Sequence, residues 1–229
     1  MSYIFPTTLF KFLSQNLKKL SQGLILKISK EKISFFPVSM SNSFFFSFSM
    51  IKRSQKEGKY LIKNFFELFP LEKEDLFFEL ELTTKCLLKF KEKNIVLPLS
   101  TLEAPLKEPS LTKNYQVYEL ALPKYLLLPK KKFTHAILKF DSFLDLTYFS
   151  QKTRGLLQYK VPTKLFFPSF KKSGPFLLKI KEKLLHFFFT ALEFFKQGKG
   201  LKIKSQEYMF IDFTQDAFCF KLILFSDPL

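Results

Sequence analysis

Tryptophan is absent from this sequence, glycine is scarce at 6 residues, and Arg53 and Arg154 are the only arginines among 37 basic residues. There are two cysteines, Cys86 and Cys219, too few for a disulfide framework or a zinc site. Each lies in a largely apolar segment, where a lone cysteine packs as a small core residue, and this usage fits a reducing, intracellular compartment. The two histidines, His135 and His186, have no cysteine or second histidine at ligand spacing, so no metal centre is expected. They read as solvated or phosphate-facing residues of polar helix faces. No run of about 18 uncharged apolar residues exists: the richest window, Phe176 to Phe195, is broken by Lys179, Lys181, Glu182, Lys183 and Glu193. A membrane span is therefore not expected. The first 30 residues contain no acid, as in a mitochondrial presequence, but are read here as the first helix and strand of the fold.

Catalytic constellations are missing as well. Glu72, Glu74, Asp75, Glu79 and Glu81 are strung along a loop and a strand, as on a solvated sheet face, and form no carboxylate dyad. Gln197-Gly198-Lys199-Gly200 is faintly like a phosphate loop, yet it follows a helix instead of opening one, so it lacks the N-terminus that binds anions and reads as a helix stop. Neither an enzymatic activity, a cofactor nor a small-molecule substrate is expected.

What the chain does have is length, apolar content and positive charge. Its 229 residues allow two domains of about 110 residues with separate cores. At 47% hydrophobic it is a folded protein and not a basic tail. The formal charge of +17 is carried almost wholly by lysine, and 33 residues are phenylalanine. Both excesses have a bland source, the drift of an AT-rich genome. The functional source is a polyanion partner, because a basic surface gains free energy by releasing counterions from a phosphate backbone.

Periodicity organises the chain into one unit used four times. From Thr8, Leu9, Leu13, Leu17 and Leu20 fall on one helical face, with Lys11, Gln15, Lys18 and Gln22 opposite. Thr7 or Thr8 is the expected cap and Gly23 the expected stop. Strands are predicted at Leu24 to Ile28, Ile33 to Val38 and Phe44 to Met50. A second helix, Tyr60 to Phe69, precedes strands at Leu76 to Leu82, Cys86 to Lys91 and Ile95 to Ser100. A third helix, Lys130 to Phe143, precedes strands at Leu144 to Phe149 and Leu156 to Val161. A fourth, Lys181 to Lys196, precedes Leu201 to Ser205, Tyr208 to Phe213 and Phe218 to Phe225. Helices three and four share a polar stripe at i, i+3, i+7: Lys132, His135 and Lys139 against Lys183, His186 and Thr190. Thr101 to Asn114, with Pro105 and Pro109 and no phenylalanine, reads as an extended linker. The predicted layout is α+β: a domain over residues 1–100, a linker over 101–114 and a similar domain over 115–229, each a twice-repeated helix plus antiparallel-strand unit. Leu88-Lys89-Phe90-Lys91 alternates as a half-buried strand does.

That layout resembles the sliding-clamp family, the PCNA-like proteins, with Leu9 to Met50 following the family's opening helix and three strands. Within the family, details resemble subunits of the nine-one-one checkpoint clamp. Val38-Ser39-Met40-Ser41-Asn42-Ser43-Phe44, Ile180-Lys181-Glu182-Lys183-Leu184-Leu185-His186-Phe187 and Phe220-Lys221-Leu222-Ile223-Leu224-Phe225-Ser226-Asp227 are similar to the Rad-nine type. Leu26-Lys27-Ile28-Ser29 and Lys32-Ile33-Ser34-Phe35 are equally similar to the Hus type. The chain departs from Rad-nine-type subunits in ending just past its last predicted strand, where they carry a phosphorylated tail, and from PCNA-type clamps in being basic.

The resemblance implies a non-catalytic subunit of a ring of six domains that encircles double-stranded DNA without reading its sequence. It implies two other clamp subunits, a separate clamp loader supplying ATP chemistry, and work in the DNA-damage checkpoint in the nucleus. It places Lys11, Lys18, Lys19, Lys63, Lys132, Lys139 and Lys183 on helix faces toward DNA, where they hold phosphates without base readout. It makes Leu102, Pro105, Leu106, Pro109 and Leu111 of the linker a docking segment. A homotrimeric replication clamp is the rival of the same class. A basic structural protein of an organellar ribosome is the rival of another class, and such a protein has no reason to keep the fourfold pattern.

Overall fold

The computed structural model describes residues 2–39, 44–52, 54, 57–71, 75–103, 109, 116–119, 133–140, 143–149, 156–162, 176–194, 199–204, 208–215 and 218–227. Two compact units divide the chain. The first comprises Met1–Ser41, Phe46–Glu108 and Gln215–Cys219; the second comprises Asn42–Phe45, Pro109–Thr214 and Phe220–Leu229.

In the first unit, β1 (Ser2–Pro6) leads directly into α1 (Thr7–Leu17). β2 (Ser21–Ile28), β3 (Lys32–Ser39), β4 (Phe44–Ile51) and β5 (Gly58–Lys63) follow, then the single turn α2 (Phe65–Leu68). β6 (Phe77–Leu82), β7 (Cys86–Lys89), β8 (Asn94–Leu97) and β9 (Leu99–Thr101) complete the unit. Its strands are ordered β1-β6-β7-β8 in one sheet and β4-β3-β2-β5-β9 in the other, all described pairs being antiparallel.

The second unit contains β10 (Gln116–Glu119), β11 (His135–Phe140), β12 (Phe143–Phe149), β13 (Leu156–Pro162), β14 (Phe176–Lys181), α3 (Glu182–Phe194), β15 (Lys199–Lys204), β16 (Tyr208–Gln215) and β17 (Phe218–Phe225). Its orders are β10-β15-β16-β17 and β13-β12-β11-β14. The pairing scheme is that of the first unit. The opening strand pairs with the strand after the later helix (β1 with β6, β10 with β15), and a central strand pairs on both sides (β2 with β3 and β5, β11 with β12 and β14). The internal repeat is thus one of topology, carried by strand register.

Phenylalanine does the packing that tryptophan would otherwise share. Fully buried Phe10 of α1 lies within 5.0–5.9 Å, ring centroid to centroid, of Phe5, Phe35, Phe48, Phe65, Phe69 and Phe78. Several of these pairs are edge-on, the arrangement the ring quadrupole favours, and Phe35 stacks offset on Phe48 at 4.3 Å. In the second unit, Ala136, Leu138, Leu146, Tyr148, Leu178 and Ile180 line one sheet face, and α3 buries Leu184, Leu185, Phe187, Phe188 and Ala191. The Cys86 thiol is buried and pushed up to about 12 by desolvation, as befits a core residue.

Several predicted elements change. Within the predicted helix 130–143, the described residues are not helical: His135–Phe140 is strand β11, because Ala136 and Leu138 are buried in alternation with half-buried or exposed neighbours. The spacing of His135 and Lys139 therefore marks no helical face. Residues 60–63 of the predicted second helix belong to β5, and Asn64 at φ 55° turns the chain into the short α2. The predicted strand 95–100 splits into β8 and β9 at Pro98, which has no N–H to give a ladder. β1, β10 and β14 are additional strands. Neither Thr7 nor Thr8 caps α1: the boundary residue is Pro6, and the Thr7 N–H is satisfied by the carbonyl of Leu76 at 2.9 Å.

Gly23 does not end the helix but sits inside β2, at a register shift between Ser21 and Leu24. A Cβ there would meet the Ile62 carbonyl oxygen at 2.7 Å. Gly23→Ala should therefore overpack the β2–β5 ladder by about 1–3 kcal/mol. A thermal melt should show a lower Tm, by roughly 2–4 °C per kcal/mol; an unchanged Tm would contradict this close approach.

Candidate nucleic-acid interface

α1 buries Leu9, Phe10, Phe12, Leu13 and Leu17 and turns Thr8, Lys11 and Gln15 outward, Lys11 half-buried and the other two exposed. Lys18, at its C-cap, and Lys19, in the turn beyond, are exposed. Lys63 is the exposed last residue of β5, paired in register with Gly23. It thus sits on a strand and not on a helix, but close in register to the stretch where α1 hands over to β2. The first unit brings Lys18, Lys19 and Lys63 to one end of the β2–β5 ladder, with Lys11 two turns back along α1.

In the second unit, Lys183 and His186 are exposed on α3. Thr190, half-buried, donates to the His186 and Phe187 carbonyls at 2.9 Å. The i, i+3, i+7 stripe expected for the fourth helix is thus its outward face. Lys132 lies outside the described residues. Lys139 is exposed, but on β11, where its neighbour Leu138 is buried on the face against which α3 packs. Alternation puts Lys139 on the opposite face of the sheet, so it does not join Lys183.

His135 likewise leaves the predicted helix stripe. It is half-buried on β11, its ring stacked on Phe149 (5.4 Å, 15°) and its Nε2 3.5 Å from Asp227 Oδ2. The segment carrying Asp227 is fastened along β14, the Asp227 N–H donating to the Lys179 carbonyl at 2.7 Å and the Lys179 N–H to Ser226 Oγ at 3.1 Å. Among the described residues, no three His, Cys, Asp or Glu side chains are grouped as metal ligands, and no helix is long and apolar enough to cross a membrane.

Glu182 opens α3, where an acidic group complements the helix dipole. Burial works against the charge and raises its pKa above the ordinary 4.5, with His186 and Lys183 pulling it back. Because the folded state holds this proton more tightly than the unfolded chain, the ionised carboxylate lowers stability as pH rises above that value. Denaturant titrations of Glu182→Gln should match wild type below the ordinary value and show a relative gain at neutral pH. A gain confined to acid would contradict the buried-carboxylate reading.

Glu79 and Glu81 lie on the exposed face of β6 as expected, with Lys89 Nζ of β7 at 2.6 Å from Glu81 and 3.8 Å from Glu79. The Lys89 hydrogen bond holds the Glu81 carboxyl below its ordinary value. Glu72 and Glu74 lie outside the described residues. In the docking segment, Leu102 is half-buried and its N–H donates to the Lys59 carbonyl at 2.9 Å, so the chain continues alongside β5 past β9. Register puts Ile25, Phe36 and Leu61 on one face of that sheet, two residues along from Leu102. This apolar strip beside the linker, in which Ile25 and Leu61 are half-buried and Phe36 is buried, was not legible before the register was known. Pro109 is half-buried, while Pro105, Leu106 and Leu111 lie outside the described residues.

No protein-family model matches the chain, and no curated protein matches it in sequence. Solved structures do. The PCNA2–PCNA3 complex of Sulfolobus tokodaii superposes with TM-score 0.71 at 12% identity, over 99% of this chain and 99% of that one. PCNA of Thermococcus kodakaraensis gives 0.69 at 12% identity over the same shares. The DNA polymerase III β subunit of Pseudomonas aeruginosa gives 0.63 at 10% identity, over 100% of this chain and 66% of that one. At such identities the likeness speaks to architecture alone, and that architecture covers essentially the whole chain: this protein has the DNA sliding-clamp fold.

Proposed function

We propose that the chain is a non-catalytic subunit of a ring-shaped clamp that encircles duplex DNA in the DNA-damage checkpoint and repair response of the nucleus. The observation that carries the reading is one strand-pairing scheme used twice, each time with a helix turning lysine outward: Lys11 and Lys18 on α1, Lys183 on α3. A protein that must hold a polyanion and still move along it needs many phosphate contacts and no base contacts, which such helix faces supply. A structural protein of a ribosome has no use for this duplication.

Ring closure needs open strand edges. β8 and β13 each end their sheets, and exposed Val96 (56%) and Leu156 (69%) sit on them. An edge of this kind is an aggregation hazard unless a partner strand covers it. Two further subunits would complete six domains, and a separate loader would supply the ATP chemistry. The Sulfolobus tokodaii structure, a complex of two different clamp proteins, supports a heteromeric ring as a precedent within the fold. The strip formed by Ile25, Phe36, Leu61 and Leu102 beside the linker is where partner proteins would dock. Light scattering of the purified chain should give a monomer or ill-defined aggregates, and a defined species only with its partner subunits. A clean homotrimer of the chain alone would move the assignment to a replication clamp.

A further inference from the structure

Apart from Leu156 at its β13 edge, the face of the β13-β12-β11-β14 sheet opposite α3 has no part in the reading above. Alternation and register bring Lys139, Lys160, Lys179 and Lys181 to it, together with Phe143 and Phe149. Asp145 lies among them, in register between Lys139 and Lys160, and the Asp227 carboxylate sits 3.5 Å from His135 at the other side. In the other unit, the matching face of β2 and β5 also carries lysines, Lys27, Lys59 and Lys63, whereas the exposed face of β6 and β7 carries Glu79 and Glu81 against Lys89.

The aromatic residues give the face its chemistry. Phe143 is 44% exposed, with Lys160 Nζ 5.0 Å from its ring centroid. Two residues on, Asp145 pairs with Lys139, and at the far end of the strand Phe149 stands parallel to the His135 ring. The exposed Phe143 ring and the half-buried Phe149, interleaved with ammonium groups on an antiparallel sheet, match a chain of phosphates carrying unstacked bases. Duplex DNA satisfies the lysines but hides its base faces in the stack, and an acidic peptide brings no planar partner for the rings.

We propose that this face binds single-stranded nucleic acid, its lysines meeting phosphates and Phe143 with the Phe149–His135 pair offering stacking surface to bases. The site is distinct from the outward helix faces and lies on the other side of the sheet from α3. Its occupancy does not depend on ring formation.

Fluorescence anisotropy of the full-length chain with a labelled oligothymidylate of roughly 16 nucleotides tests this directly. Phe143→Ala should weaken binding about tenfold, the loss of one base stack. Lys139→Glu with Lys160→Glu should lower the slope of log affinity against log salt by about 1.4, two phosphate contacts on a single strand. Lysine acetylation of the wild-type chain supplies a second reading that does not depend on variants: the oligonucleotide should protect Lys139 and Lys160 and leave Lys85 and Lys93 reactive. Unchanged affinity and slope in folded variants would overturn the proposal. So would absence of protection, equal competition by polyglutamate, or equal binding and variant sensitivity with a duplex. Because linear oligonucleotides and the unassembled chain are used, the outcome is separate from whether the protein encircles circular DNA.

Discussion

Phe10→Ala should cost the first unit about 3–5 kcal/mol, the range for truncating a large buried aromatic residue. Phe10 is completely buried where α1 meets strands β1, β3, β4 and β6 and the α2 region, and its ring partners converge from each of them. No single neighbour can swing in to fill the space, since Phe35 and Phe48 are already stacked at 4.3 Å and Phe78 is held against Phe69 at 5.2 Å. Against a total stability of about 5–15 kcal/mol, such a loss leaves the unit marginal. Urea unfolding should show a much lower midpoint for Phe10→Ala, while Phe10→Leu, which keeps much of the volume, should lose less. Equal midpoints for wild type and Phe10→Ala would mean that α1 does not organise this core.

Reversing the charge of Lys11, Lys18 and Lys183 together should weaken binding to duplex DNA by on the order of a hundredfold at moderate salt and leave the fold intact. Each of these side chains is half-buried or exposed on or at the end of a helix, so folding does not depend on it. Their loss should lower the log–log salt slope by about 2.7, at roughly 0.9 for each duplex phosphate contact. The effect should be the same for any sequence, because phosphates carry no base information. Lys139 is left out deliberately: on β11 it belongs to the sheet face, and its reversal should spare duplex binding. If the triple variant binds duplex as well as wild type at every salt concentration, the helix faces are solubilising surface and nothing more.

How far the residues alone foretold this molecule depended on how unambiguous their periodicity was. α1 was legible because Leu9, Leu13 and Leu17 are buried on one side while Gln15 and Lys18 are exposed. β2, β3 and β4 were legible because turn residues separate short apolar runs. Residues 135–140 were misread because His135 and Lys139 share a spacing with Lys132 that fits a helix, while a short run around Ala136-Ile137-Leu138 fits either period. Sheet pairing on both sides decided the matter. Residues 60–63 failed in the same way, tertiary pairing with β2 outweighing a helical preference. Those two errors account for the misplacement of Lys63 and Lys139 within the expected site. The lysines of α1 and α3 came out where periodicity put them. The sheet face carrying Phe143 and Lys160 was invisible, since only register brings β12 and β13 together.

The central claim is topological, and one measurement addresses it directly. The chain, purified with its native partner subunits, is loaded onto closed circular duplex DNA, the DNA is cut once, and the protein retained is measured before and after the cut at moderate salt. A ring held by encirclement, with sequence-independent phosphate contacts that permit sliding, should stay on the circle and run off the linear molecule. Equal retention on circular and linear DNA would contradict it and leave a basic protein that merely adheres.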